Sequence, residues 1–201
     1  MNNEHQPIEK IDELFLSKII LNESQGLLAD LSLQPTLMVS FMTISEQEYE
    51  QCLYYISRIL ISCFQNGEIK VIMNSDGENL IGYALFFEHP DSSFARYCHK
   101  IYVYEEFRKK GIGTQLLTDL LDDSENITLL CSPELIPFYE KSGMTFGGYY
   151  EIPDESDEFK HTRNMYHGLA AMNGKNVSGP APIFMLNNND VKNLLSLING
   201  N

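Results

Sequence analysis

Residues Tyr97 to Leu121 read YCHKIYVYEEFRKKGIGTQLLTDLL, and this stretch decides the fold because its periodicity changes halfway. Tyr97 to Tyr104 is dense in aromatic and β-branched residues, which predicts a strand. From Gly111 onward Ile112, Leu116, Leu117, Leu120 and Leu121 recur at helical spacing. Between the two lies Arg108-Lys109-Lys110-Gly111-Ile112-Gly113-Thr114, a basic loop with two glycines at the mouth of a helix. Glycine lets the backbone turn tightly and approach a ligand, leaving the unpaired N–H groups of the first helical turn aimed at an anion. The helix dipole and the cations of Arg108, Lys109 and Lys110 add to that field. The pattern GxxxxGK[ST] is absent, and GIGTQL lacks the third glycine of GxGxxG, so neither a nucleotide triphosphatase nor a dinucleotide fold is indicated. The competing reading is a plain strand-to-helix turn whose glycines serve packing.

Arg108-x-x-Gly111-x-Gly113 after an Ile-Tyr-Val strand resembles the acetyl-CoA signature (Q/R)xxGx(G/A) of the GNAT superfamily of N-acetyltransferases. Downstream, Pro137-Phe138-Tyr139-Glu140-Lys141-Ser142-Gly143-Met144 is similar to the FYEKxGF segment of that family, at the expected separation. The resemblance covers about residues 36 to 170 and implies an α/β fold of the α+β type. Its central sheet is mixed and mostly antiparallel, with one splayed parallel strand pair and flanking helices. The chain then divides into an N-terminal helical extension (1–34), an acetyltransferase domain (35–170) and a C-terminal linker with a short helix (171–201).

Composition bounds the function. A chain of 201 residues, 43% apolar and 21% charged, is ordinary for a globular protein of one domain. No apolar run is long enough to span a bilayer and the first ten residues lack the shape of a signal peptide, so no membrane partner is expected. Cys52, Cys63, Cys98 and Cys131 form no CxxC pair and lie in apolar segments, which reads as reduced thiols in a cytoplasmic protein with no metal site. A net charge of −14 disfavours nucleic acid and suits a cationic substrate.

Taken in order, residues 7 to 33 read as a helix broken at Asn22–Gly26, followed by a second short helix. Pro35 opens an extended run, Thr36 to Ile44, expected as the first core strand. Ser45 and Glu48 have capping-box spacing ahead of the stripe Tyr49, Cys52, Leu53, Ile56, Leu60 and Phe64, which ends at Asn66-Gly67. In the family this helix sits over the acceptor site, where Tyr54 and Tyr55 would touch substrate; surface or core packing is the simpler role. Glu68–Met73 and Leu80–Glu88 are strands around Asn74-Ser75-Asp76-Gly77. The next strand runs from Phe94 to Tyr104, and the helix after the loop reaches Asp122. Ile127–Cys131 is a short apolar strand, and Ser132-Pro133 begins a helix that Gly143 ends. Thr145–Ile152 and Arg163–Leu169 are expected to pair across an acidic connection, Pro153–His161. After an Asn-, Gly- and Pro-rich linker interrupted by Ile183–Leu186, Asp190 is expected to cap a last helix, Val191–Ile198. Its apolar face must be buried on the chain's own core or in a homodimer through the terminal extensions.

The resemblance also assigns chemistry. It implies that the backbone of Ile101, Tyr102 and Val103 pairs with pantetheine and that residues Arg108, Lys109, Lys110, Gly111, Ile112, Gly113 and Thr114 hold the pyrophosphate. Ser132, standing where many members carry Asn, and Phe138 then face the cofactor. Tyr139 matches the general acid that protonates the leaving thiolate, a role suited to a phenol with an ordinary pKa near 10. Strand position makes His99 the candidate base, on a side-chain face expected to be shared with Ile101 and Val103. CSPELIPFYEKSG with a histidine ahead of Ile-Tyr-Val is similar to the arylalkylamine branch of the family. Glu105 and Glu106 are the fallback bases. The function implied is acetyl transfer from acetyl-CoA to a primary amine of a small cationic molecule. The alternatives are a protein amine as acceptor and a non-catalytic acyl-CoA-binding domain.

Overall fold

The computed structural model describes residues 13–91, 93–151 and 157–199. Helix α1 (Glu13–Ser32) is continuous through Asn22–Gly26, where the sequence predicts a break; residues 7–12 lie outside the described set. Tertiary contact overrides the weak local propensity there. Ser24 Oγ donates to the Ile20 carbonyl at 2.7 Å and meets Ser57 Oγ at 2.9 Å, while Gly26 leaves room for the Lys100 ammonium alongside the helix. The buried stripe of α1 runs through Phe15, Ile19, Leu27, Leu28 and Leu31.

Thr36–Ile44 is not a strand. It forms a turn and the short helix α2 (Met38–Met42), in which Met38, Val39 and Met42 are exposed, and β1 is left as the edge strand of the described sheet. Helix α3 (Glu46–Gln65) begins with the expected capping box: Glu48 N–H donates to Ser45 Oγ, and Ser45 N–H donates to Glu48 Oε2 at 2.7 Å. Such a cap stabilises a helix by about 1 kcal/mol. Left-handed Gly67 follows its end.

Among the described residues, six strands form one sheet in the order β1-β2-β3-β4-β6-β5. They are β1 (Ile69–Ser75), β2 (Leu80–Phe87), β3 (Arg96–Val103), β4 (Ile127–Cys131), β5 (Thr145–Tyr149) and β6 (Ala170–Asn173). All neighbours are antiparallel except β3 and β4. The last strand is therefore Ala170–Asn173 in place of Arg163–Leu169; residues Arg163–Met165 make a single 3-10 turn, and Gly168, with φ +78°, turns the chain into the sheet. Much of the acidic connection, residues 152–156, lies outside the described residues.

Two cores flank the sheet. On one face α1, α3 and the C-terminal helix α6 (Asn188–Asn199) enclose Ile19, Leu28, Cys52, Ile56, Tyr83, Phe87 and Tyr97. On the other, α4 (Ile112–Asp123) and α5 (Ile136–Lys141) cover Ala84, Phe86, Cys98, Leu117, Leu120, Leu129 and Met172. The apolar face of α6 is thus buried within the same chain, through Val191, Leu194 and Ile198. Its cap is Asn187, whose Oδ1 accepts from the Asn189 and Asp190 N–H groups; Asp190 instead binds back to the Asn187 N–H at 3.0 Å. Ser132 starts a 3-10 turn (Pro133–Leu135) that passes into α5 at Ile136, with Pro137 in the first α-helical turn and left-handed Gly143 beyond the end. The four cysteines are free thiols. Among the described residues, no helix is long and apolar enough to cross a membrane.

Candidate active site

The site forms where the parallel pair comes apart. β3 and β4 pair over three positions, Arg96↔Ile127, Tyr97↔Thr128 and Cys98↔Leu129. Beyond them β4 continues as Leu130–Cys131 paired only to β6, while β3 continues to Val103 paired only to β2. The β4-side edge of β3 at Ile101, Tyr102 and Val103 is left without a strand partner, and extended backbone with a free edge is a template for hydrogen bonding. Arg96 holds the closed end of the gap, bridging Glu88 just past β2 (Nε–Oε1 2.5 Å) and Asp123 at the end of α4.

At the open end β3 leads through a 3-10 turn (Glu105–Phe107) into the basic loop. Lys109 has φ +62° and Gly111 φ +80°, so two left-handed residues fold the loop onto the helix entrance. Gly111 is the N-cap of α4 and brings no side chain to its first N–H groups, leaving those of Ile112, Gly113 and Thr114 available to an anion. An αL lysine is uncommon and marks a locally strained backbone of the kind found at ligand clamps. The Gly113 α-carbon lies over Val103, whose Cγ2 would sit 3.7 Å from an added Cβ, so α4 packs directly on the free end of β3. Arg108 folds back on β3: its Nε donates to the Val103 carbonyl at 3.0 Å, which occupies that acceptor, and its guanidinium lies 5.9 Å from the Tyr102 ring centroid. Lys110 likewise lies over the Phe107 ring, at 5.3 Å.

Tyr139 packs on the α4–α5 side with Ile101, Ile136, Cys98 and Cys131, in a T-shaped contact with Phe138 at 5.1 Å. Burial, with the two thiols adding to it, pushes its phenol well above the ordinary value, so it stays protonated. Ser132 follows directly on the free end of β4; its carbonyl accepts from Leu135 N–H at 2.9 Å, and its side chain does not cap the turn.

His99 lies on the opposite face, which corrects the expected parity. The register between β2 and β3 jumps from Leu85↔Lys100 to Phe86↔Cys98, so His99 is the extra residue of a β-bulge. Strict alternation would place it with Ile101 and Val103. The bulge places it with Tyr97 and Tyr102, against Phe87, Tyr97 and Phe184 at ring separations of 5.8, 6.0 and 5.8 Å. Imidazole and phenol therefore lie on opposite faces of the sheet. Only 10% of the His99 side chain is exposed, and burial, aided by the Lys100 charge, lowers its pKa to about 4.

Three residues that the sequence reading did not connect with His99 surround it. Glu23, only 2% exposed on α1, places Oε2 3.6 Å from His99 Nε2, and its Oε1 accepts from the buried Tyr83 hydroxyl. Lys100, the next residue on the bulge, balances the Glu23 charge. Phe184 belongs to a C-terminal segment drawn across this face; it stacks on Phe87 at 4.8 Å, its carbonyl accepts from Tyr166 Oη, and that of Leu186 accepts from buried Thr162 Oγ1. A signal for Glu23 was present: it falls on the stripe Ile19–Glu23–Leu27, an acid at i+4 spacing between two core residues.

The low pKa of His99 has a stability consequence. An imidazole that titrates near 6.5 unfolded and near 4 folded favours folding above pH 6.5, and that contribution is lost as pH falls from 6.5 to 4. At neutral pH it amounts to about 3 kcal/mol. Glu23, whose pKa is raised by burial, acts with the opposite sign from about pH 4.5 upward, so the His99 effect is read by difference. The Tm advantage of wild type over His99→Gln should shrink as pH is lowered from 7.5 to 4; a constant difference would mean that His99 is solvated.

A mixed sheet with a splayed parallel pair beside a basic, glycine-bearing loop and helix is the fold of a CoA-dependent acyltransferase. The chain belongs to the Acetyltransferase (GNAT) family, which it matches over residues 33–144. No curated protein matches it in sequence. Solved structures similar to it include a point mutant of the spermidine N-acetyltransferase SpeG from Vibrio cholerae (17% identity, 72% of this chain and 87% of that one, TM-score 0.46). A GNAT-family acetyltransferase from Elizabethkingia anophelis with acetyl-CoA bound is 18% identical over 57% of this chain and 78% of that one, with a TM-score of 0.41.

Proposed function

We propose that the protein transfers the acetyl group of acetyl-CoA directly to the primary amine of a small cationic molecule. The observation that carries this reading is the free backbone edge of Ile101–Val103 beside the uncapped helix entrance at Gly111–Thr114, two halves of one elongated cofactor cradle. The amine attacks the thioester carbon from the α1 side. The nitrogen loses a proton to neutral His99, and Tyr139 gives one to the departing thiolate, so the proton lost by nitrogen balances the proton gained by sulfur. The net charge of −14 favours a cationic acceptor.

The test is thiol release from acetyl-CoA over a panel of aromatic monoamines, polyamines and a lysine-containing peptide. Acceleration above hydrolysis by at least one small amine is expected. Response to the peptide alone would move the acceptor to protein, and acetyl-CoA binding with no acceleration by any amine would make the domain an acyl-CoA-binding module.

A further inference from the structure

We propose that Glu23 is the positioning residue of the reaction: its carboxylate, fixed by Tyr83, orients the His99 imidazole and balances the positive charge that imidazole acquires. The inference rests on the reading of His99 as base. It comes from a cluster of buried groups contributed by three elements. From α1, Glu23 presents one oxygen to Tyr83 Oη and the other to His99 Nε2 at 3.6 Å. From β2, Tyr83 is fully buried, and its hydroxyl also accepts from Asn22 Nδ2 at 2.5 Å. From β3, the bulge turns His99 and Lys100 toward the same helix.

A carboxylate so deeply buried is costly unless its oxygens are paired. Tyr83 pairs one oxygen, Asn22 adds a side-chain hydrogen bond to the carboxylate, and the second oxygen faces the imidazole with the ammonium of Lys100 farther off. The 3.6 Å gap is too long for a hydrogen bond, and such contacts tighten when a substrate is bound. With Glu23 ionised, Nε2 carries the imidazole proton and Nδ1 keeps its lone pair. Nδ1 is buried and has no hydrogen-bond partner among the described residues, so in this arrangement it is the nitrogen left to take the proton from the acceptor. The imidazolium then lies between the Glu23 carboxylate, which stabilises it, and Lys100, which opposes it. Besides these, the titratable groups facing the cluster are Tyr97 and Cys98 on β3, Tyr104 just beyond it, Asp30 on α1 and Tyr166 behind Tyr97. From the C-terminal segment apolar Phe184 faces it.

The cluster titrates as a coupled unit, and its members affect the acid limb of kcat/KM with opposite signs. Glu23→Gln keeps the shape and a Tyr83 acceptor but removes the charge that favours imidazolium. It should lower kcat about tenfold or more, leave KM for acetyl-CoA unchanged, and move the acid limb down by about one pH unit. Tyr83→Phe removes the hydrogen bond that favours the carboxylate and should move the same limb up. A purely structural role would change Tm and the amount of folded enzyme while leaving both limbs in place, and that outcome would overturn the proposal. His99→Gln separates the two levels of the argument. Full activity in that variant removes the base assignment itself, whereas loss of activity in His99→Gln with unmoved limbs in Glu23→Gln and Tyr83→Phe overturns only the role of Glu23.

Discussion

Tyr139→Phe should bind acetyl-CoA with unchanged affinity and transfer acetyl groups about a hundredfold more slowly. The ring stays, so the edge-on contact with Phe138 and the packing against the α4–α5 core persist. Only the hydroxyl is lost, and with it a proton donor that burial keeps protonated throughout the working range. General acid catalysis of this kind contributes roughly 10²–10⁴ in rate, and a thiolate leaving group, intrinsically the more stable anion, places the effect at the lower end. Steady-state thiol release beside an equilibrium acetyl-CoA titration separates the two quantities. A rate within threefold of wild type would mean that the thiolate leaves unprotonated or takes its proton from water.

Gly111→Val should weaken acetyl-CoA binding by at least about a hundredfold while the protein stays folded. At φ +80° a β-branched residue is strained by about 1–2 kcal/mol, yet an added Cβ meets nothing within 4 Å. The substitution therefore spares the core and distorts the helix entrance, with a branched side chain standing beside the first N–H groups. Gly77 in the β1–β2 turn supplies a matched control: its φ is +96° and its Cβ position is equally open. Gly77→Val should show a comparable fall in Tm, a few degrees for a chain of this size, with acetyl-CoA affinity intact. Equal loss of affinity in both variants would assign the effect to general destabilisation.

The elements that were legible in the sequence are those whose signal is local. The Ser45–Glu48 cap, the Asp76-Gly77 turn and the Gly111 helix entrance each depend on residues a few positions apart. The misread elements depend on distant partners. Thr36–Ile44 has the apolar content of a strand but coils into α2, leaving β1 at the edge of the described sheet. Asn22–Gly26 looks like a helix break until Tyr83, Ser57 and Lys100, all from elsewhere in the chain, pair its polar groups and occupy the space beside its glycine. The same remoteness hid the site's polar cluster: no spacing rule connects Glu23 to His99, and a bulge set by β2 decides which way His99 points. The C-terminal segment, an Asn- and Pro-rich linker by composition, supplies Phe184 to the site because Thr162 and Tyr166 hold its carbonyls.

The central claim is that acetyl-CoA lies in the gap between β3 and β4, on the free edge of Ile101–Val103 and at the entrance of α4. Amide hydrogen exchange with and without acetyl-CoA tests it residue by residue. Added protection concentrated at Ile101–Val103 and at Ile112–Thr114, with the paired segment Arg96–Cys98 unchanged, is the predicted result. Saturating binding with protection elsewhere and none at these two segments would contradict it.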